Sequence, residues 1–299
     1  MGKFGIMGES ASFASAAGRG GRKLPEVSFV GSSDDPYIQS LSCNGRITIE
    51  SIKDGKPVVK SYYALRSQKV DIQADADTIV LIKGYVTELQ FTKHNNDPDI
   101  DDWEGYTELS SVSVGDNSIL KTLSIALNEN IEELDLAANT QLQYLYCYSC
   151  TGLTSLDLAA NTQLQYLNCG NIPNLTSLDL AANTQLQILD CNSCTGLTSL
   201  DLAANTQLQT LYCGNIPNLT SLDLAANTQL RILDCNSCTG LTDISYPATN
   251  KDVSTAIAGA ITAATAEDGT VYTDSAADYY STIADAATAK GWTIAQIPE

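Results

Sequence analysis

Residues 153–174 read LTSLDLAANTQLQYLNCGNIPN, and residues 175–196 read LTSLDLAANTQLQILDCNSCTG. This 22-residue unit occurs five times between Ile131 and Gly240, opening on isoleucine in the first copy and on leucine in the others. Each unit splits into two eleven-residue halves, both patterned L-x-x-L-x-[L/C]-x-x-[N/C/I]-x-x. A short fixed period signals a solenoid, because one turn cannot bury its apolar edge alone and stacked turns bury it against one another.

The alternation in Leu156-Asp157-Leu158 puts two leucines on one face and the aspartate on the other. Repetition stacks Leu134, Leu156, Leu178, Leu200 and Leu222 into one column, with coils about 4.8 Å apart. Each buried leucine contributes roughly 1.5–3 kcal/mol, whereas ordering the backbone costs about 1–2 kcal/mol per residue. A lone coil therefore does not fold, and neighbours and caps are required. Both halves carry L-x-[L/C], which predicts strands on two sides of a flattened coil. The ninth position of the first half is always asparagine (Asn139, Asn161, Asn183, Asn205, Asn227). An inward amide there predicts a ladder that satisfies backbone groups at each corner. In the second half the same position alternates between Cys150, Ile172, Cys194, Ile216 and Cys238.

Nine cysteines and three C-x-x-C pairs raise a metal or redox reading. Three observations oppose it. The second cysteine exchanges with isoleucine, so its slot reads as apolar filler. Successive pairs lie two coils apart, roughly 9–10 Å, too far for four sulfurs each about 2.3 Å from one zinc ion. The sixth-position cysteines, Cys147, Cys169, Cys191, Cys213 and Cys235, form a column of thiols, not pairs. Buried free thiols are expected, as suits a reducing compartment or an anaerobic setting.

L-x-x-L-x-L-x-x-N stands at residues 153–161, 175–183, 197–205 and 219–227, and it resembles the leucine-rich-repeat core. With the L-x-x-L-x-C half, the chain is similar to a leucine-rich-repeat subtype of nested eleven-residue halves found in surface proteins of gut bacteria and their phages. The resemblance covers about half of the chain and implies a coil of parallel strands, with no chemistry attached. The expected fold is mainly β, a leucine-rich-repeat β-solenoid with an all-β N-terminal cap and an α+β C-terminal cap.

Four segments are expected. Residues 1–23 are Gly/Ala/Ser-rich and end in GRGGRK; they contain no apolar run of signal-peptide length and read as an arm that docks on other protein subunits through Arg19, Arg22 and Lys23. Residues 24–108 read as a β-rich cap, with alternation over 46–53, a hairpin turn at Asp54-Gly55, a return over 57–65, strands over 69–73 and 78–82, and a degenerate first half-repeat at Val86, Leu89 and Phe91. Residues 109–246 are the solenoid. Residues 247–299 read as two helices, over 251–266 and 275–290, each followed by a short strand, the second helix ending at Gly291.

Net charge is −19, and twelve of the sixteen Lys/Arg precede His94. No nucleic-acid surface is expected on the acidic solenoid, and no stretch reaches membrane-span length. In the acidic stretch 95–108, Asp97, Asp99, Asp101 and Glu108 match positions 1, 3, 5 and 12 of a calcium loop. Asp102 replaces its glycine, Pro98 intrudes and helices are missing, so a solvated loop is the reading and calcium the alternative; no other cofactor is expected. His94 reads as structural. The five repeated aspartates (Asp135, Asp157, Asp179, Asp201, Asp223) are equivalent, whereas acid–base catalysis needs two carboxyls in unlike environments. No enzyme is expected.

The first halves hardly vary, but the outward positions of the second halves do. Tyr144, Tyr146, Tyr148, Tyr166 and Tyr212 are the candidate ligand face, since tyrosines on a rigid sheet suit protein or glycan contact; ordinary cross-coil surface pairs are the alternative. Together these features predict a non-enzymatic structural or adhesive protein: a virion-surface subunit, assembled in the host cytoplasm, anchored by its arm and presenting the solenoid to a host-surface glycan or protein. The alternative is a bacterial cell-surface adhesin.

Overall fold

A computed structural model describes residues 24–31, 37–66, 68–71, 74, 79–91, 109–115, 117–246, 254–265, 269–272 and 280–295. The molecule is a leucine-rich-repeat β-solenoid entered through an antiparallel β block. The block holds β1 (Glu26–Gly31), β2 (Tyr37–Lys53), β3 (Lys56–Tyr63), β4 (Gln68–Asp71), β5 (Ile79–Gln90) and β6 (Leu109–Ser113). The Asp54-Gly55 turn has φ of 52° and 66°, the mirror-image turn whose twist matches paired strands, and it sets Arg46 against Tyr63 through Lys53 against Lys56.

The solenoid grows directly from this block. The end of β5 pairs in parallel with β7 (Thr122–Ser124), Leu89 opposite Leu123. β8 (Tyr144–Tyr146), β9 (Tyr166–Asn168), β10 (Ile188–Asp190) and β11 (Thr210–Tyr212) follow at 22-residue intervals. All of these lie in second halves, so Val86, Leu89 and Phe91 fill a second-half place, not the first-half place their sequence suggests. β12 (Ser221–Asp223) is the one first-half strand among the units of residues 131–240, and β13 (Ile232–Asp234) ends the second-half sheet.

The expectation of strands on both sides is thus corrected: most coils ladder on one side. The two sides differ at the sixth position: the second halves of residues 131–240 stack the thiols of Cys147, Cys169, Cys191, Cys213 and Cys235, and the first halves stack Leu136, Leu158, Leu180, Leu202 and Leu224, all at most 1% exposed. On the second-half side the coils ladder, and Gln165 N and Tyr166 N both donate to Gln143 O. The first-half side is tied by side chains.

Those ties are the asparagines. Nδ2 of Asn161 donates to Leu136 O (3.1 Å) and Asn139 O (2.9 Å), and Asn183, Asn205 and Asn227 repeat the pattern. The exposed aspartates have a local duty as well: Asp157 Oδ1 accepts from Ala159 N at 3.0 Å, and the other four act alike. The ninth-position thiols are more than filler. Cys194 Sγ donates to Cys169 O in the preceding coil at 3.0 Å, as Cys150 does to Ile125 O and Cys238 to Cys213 O. Where isoleucine follows instead, as after Cys191, that carbonyl takes its own turn's amide, Cys194 N (3.2 Å).

After β13 the laddering side changes. β14 (Asp243–Ser245), α1 (Ser254–Ala263), β15 (Thr270–Tyr272), α2 (Tyr280–Lys290) and β16 (Thr293–Ala295) continue the chain. A helix about 10 Å across now spreads the second-half side, and the opposite side closes into the parallel sheet β12-β14-β15-β16. Ile257, Ile261, Ile283 and Ala287 are fully buried. α2 ends as a Schellman cap, with Trp292 N on Ala287 O and Gly291 N on Thr288 O.

Coils touch closely at Gly196, where a Cβ would lie 2.6 Å from Pro173 O and 2.9 Å from Leu175 O, both backbone atoms. Gly196→Ala is expected to cost about 1–3 kcal/mol through forced coil separation, read as a lower urea midpoint. An unchanged midpoint would mean that the coils shift freely at that joint.

Candidate functional site

The candidate site is the outward face of the second-half sheet. Alternation buries Leu145 and Leu167 fully and turns their flanking residues to solvent. Tyr144 pairs in register with Tyr166, and Tyr146 with Asn168. The diagonal pair Tyr146 and Tyr166 pack with ring centroids 4.7 Å apart and planes tilted 34°. Tyr148 lies beyond the strand, its Cδ2 3.2 Å from where a Gly170 Cβ would stand. Glycine there leaves room for the ring. Tyr144 and Tyr148 remain 37% and 41% exposed.

Four of the five predicted tyrosines therefore form one patch. Tyr212 stands apart, two strands beyond Tyr166. Its register neighbours are Asp190 and Asp234. The coil pattern places them at the outward fifth position, as it does Tyr146 and Tyr212, without singling them out as anchors. Each accepts a local amide through Oδ1: Asn192 N on Asp190 and Asn236 N on Asp234, both at 3.1 Å.

Electrostatics keep the patch neutral and the far end acidic. Burial raises the Tyr146 phenol, with Tyr166 and then Tyr144 adding to it. Burial also leads at Tyr166, so both rings remain hydroxyl donors at neutral pH. Burial lifts the Asp190 carboxyl, the Asn192 amide draws it back, and Asp234 raises it further.

The thiols are placed as packing groups. All nine cysteines are free and buried. Burial holds Cys147, Cys191 and Cys213 well above the ordinary thiol range and pushes Cys150 up to about 12. A protonated thiol is a poor nucleophile and metal ligand. Among the described residues no group of three or more His, Cys, Asp or Glu is arranged to hold a metal ion, and no helix is long and apolar enough to cross a membrane. Arg19, Arg22 and Lys23, the stretch of Asp97, Asp99, Asp101 and Glu108, and His94 lie outside the described residues.

No protein-family model and no curated protein sequence matches the chain. Among solved structures, it is similar to the functional domain of InlJ from Listeria monocytogenes, described as including a cysteine ladder, with 32% identity, 56% of this chain and 38% of that chain covered, and a TM-score of 0.40. The chain thus spans less than two fifths of that structure's length. An internalin (inlF) from Listeria monocytogenes is 17% identical over 62% of this chain and 76% of its own, with a TM-score of 0.19.

Proposed function

We propose that the protein is a non-enzymatic recognition solenoid that binds a macromolecular partner through its second-half sheet, as a bacterial cell-surface adhesin does. The observation that carries this reading is the aromatic patch. Tyr144 and Tyr148 are held exposed on a packed sheet, beside the stacked Tyr146 and Tyr166. Rings fixed in advance lose little entropy on binding, and exposed tyrosines are frequent anchors at interfaces. The adhesin reading needs only this described face. A virion-surface subunit anchored through residues 1–23 needs the arm as well, which is why the adhesin stands first. Calcium at residues 97–108 likewise has no described geometry behind it.

Labelled full-length chain is expected to bind cultured epithelial cells, and Tyr144→Ser/Tyr148→Ser is expected to lower that binding at least tenfold, since two interface anchors contribute roughly 1–2 kcal/mol each. The melting temperature should not fall, because neither ring is in the core. Equal binding by the double variant would remove the patch from the function. Particle assembly that requires residues 1–23, with no cell binding, would favour the virion reading.

A further inference from the structure

Residues 153–196 and 197–240 are two copies of one 44-residue segment, and they differ at three positions: Tyr166 against Thr210, Asn168 against Tyr212, and Gln187 against Arg231. The first two pairs lie in β9 and β11 of the second-half sheet, and the third immediately precedes β10 and β13. The scaffold does not force this placement. Thr154, Ser155, Asp157, Thr162 and Gln163 are exposed, whereas Tyr166, Asn168 and Gln187 are half-buried and Thr210 is buried, yet each of those exposed five has the same residue in the second copy. Drift limited only by burial would have reached them. Change confined to one face is the mark of a surface that meets a ligand there.

The face also has two unlike ends. One holds the tyrosine patch on β8 and β9. At the other, Tyr212 stands in register between Asp190 and Asp234, and neither carboxylate is in an ion pair among the described residues. Two carboxylates beside a phenol ring attract a cation by charge and by the ring face. From β8 to β13 the stripe spans four strand spacings, roughly 19 Å. That is the reach of about six extended residues.

We infer that this sheet is a diversified recognition face whose partner is a protein presenting an extended basic segment, with an aromatic or aliphatic residue over the tyrosine patch and an arginine or lysine between Asp190 and Asp234. The inference rests on the proposal that this face binds, and adds the partner's chemistry. The three differing positions set which segment is chosen, and the repeated first halves carry the fold alone.

The test is selection of a displayed library of random twelve-residue peptides on the full chain. Enriched peptides are expected to carry a net positive charge and a bulky apolar residue. Their affinity should fall at least tenfold in Asp190→Asn/Asp234→Asn, whose side-chain oxygens still accept from Asn192 and Asn236, and should weaken as salt rises. Thr210→Tyr/Tyr212→Asn/Arg231→Gln, which makes the copies identical, should enrich a different peptide set. Neutral or acidic binders that depend on Tyr144 and Tyr148 would overturn the basic partner and leave the binding face standing. So would mucin-glycan binding that depends on the same tyrosines without peptide enrichment. Binders indifferent to every substitution on the face would overturn both proposals.

Discussion

Raising the pH from 8 to 10 is expected to unfold the protein under reducing conditions. Five sixth-position thiols, Cys147, Cys169, Cys191, Cys213 and Cys235, are each 0% exposed. Burial raises four of them, and at Cys169 a hydrogen bond with Cys194 comes first and burial second. An unfolded thiol ionises near its ordinary value of 9.0, while the folded one keeps its proton. Above that value the unfolded chain binds fewer protons, so stability is fully present below about pH 9 and is lost as pH rises toward the folded values. Each thiol then contributes a loss of about 1.4 kcal/mol per pH unit. Cys147, Cys191, Cys213 and Cys235 together remove on the order of 5 kcal/mol by pH 10, comparable with the whole stability of a marginal domain, while Cys169 adds little because its partner Cys194 is lowered by the same hydrogen bond. Urea midpoints measured from pH 7 to pH 10 should fall steeply above pH 9, and Cys213→Ala should make the fall shallower. A flat profile would mean that the column does not remain protonated in the folded state.

Asn183→Asp is expected to be the most damaging near-isosteric change in the solenoid. Asn183 is fully buried, and its Nδ2 donates to Leu158 O and Asn161 O at 3.1 and 2.9 Å. A carboxylate would turn oxygen toward those two carbonyls in a fully buried site. The loss should be about 3–5 kcal/mol at neutral pH, the scale of a buried charge left unpaired. The introduced carboxyl must be protonated in the folded state, so its folded pKa is raised. Its stability deficit is therefore smallest below its unfolded value, near pH 4, and grows as pH rises above it. Asn183→Leu, which loses two neutral hydrogen bonds, should cost about 2–3 kcal/mol with no such pH dependence. Thermal melts of these variants at pH 4 and pH 7 decide the matter. An unchanged melting temperature in Asn183→Leu would remove the ladder as a source of stability.

What the sequence made legible was whatever repeats or pairs locally. The 22-residue period gave the coil, the ninth-position asparagine gave the ladder, Asp54-Gly55 gave the β2–β3 turn, and the four-residue spacing of Ile257 with Ile261 and of Ile283 with Ala287 gave the helix faces. The side that ladders was not legible. Both halves share one hydrophobic pattern, so the side on which coils ladder does not show in the spacing of the apolar residues. The ninth-position thiols misled for a similar reason: exchange with isoleucine hides a hydrogen bond whose acceptor lies 25 residues earlier. At the candidate face, the sequence named the tyrosines but not their division. Tyr166 and Tyr212 look equivalent along the chain, yet two strand spacings separate them, and Asp190 and Asp234 become neighbours of Tyr212 only through the sheet register.

The account's central claim is that recognition and folding occupy different faces of the same coils. Its most direct test is a saturation substitution scan of residues 142–240 in the displayed full-length chain, sorted separately for binding to epithelial cells and for resistance to heat. Substitutions that abolish binding while sparing heat resistance are expected at the second, third, fifth and seventh positions of the second halves, Tyr144, Tyr146, Tyr148, Tyr166 and Tyr212 among them. The exposed first-half positions should tolerate change in both sorts. Binding-specific losses on the first-half face, or none separable from unfolding, would contradict it.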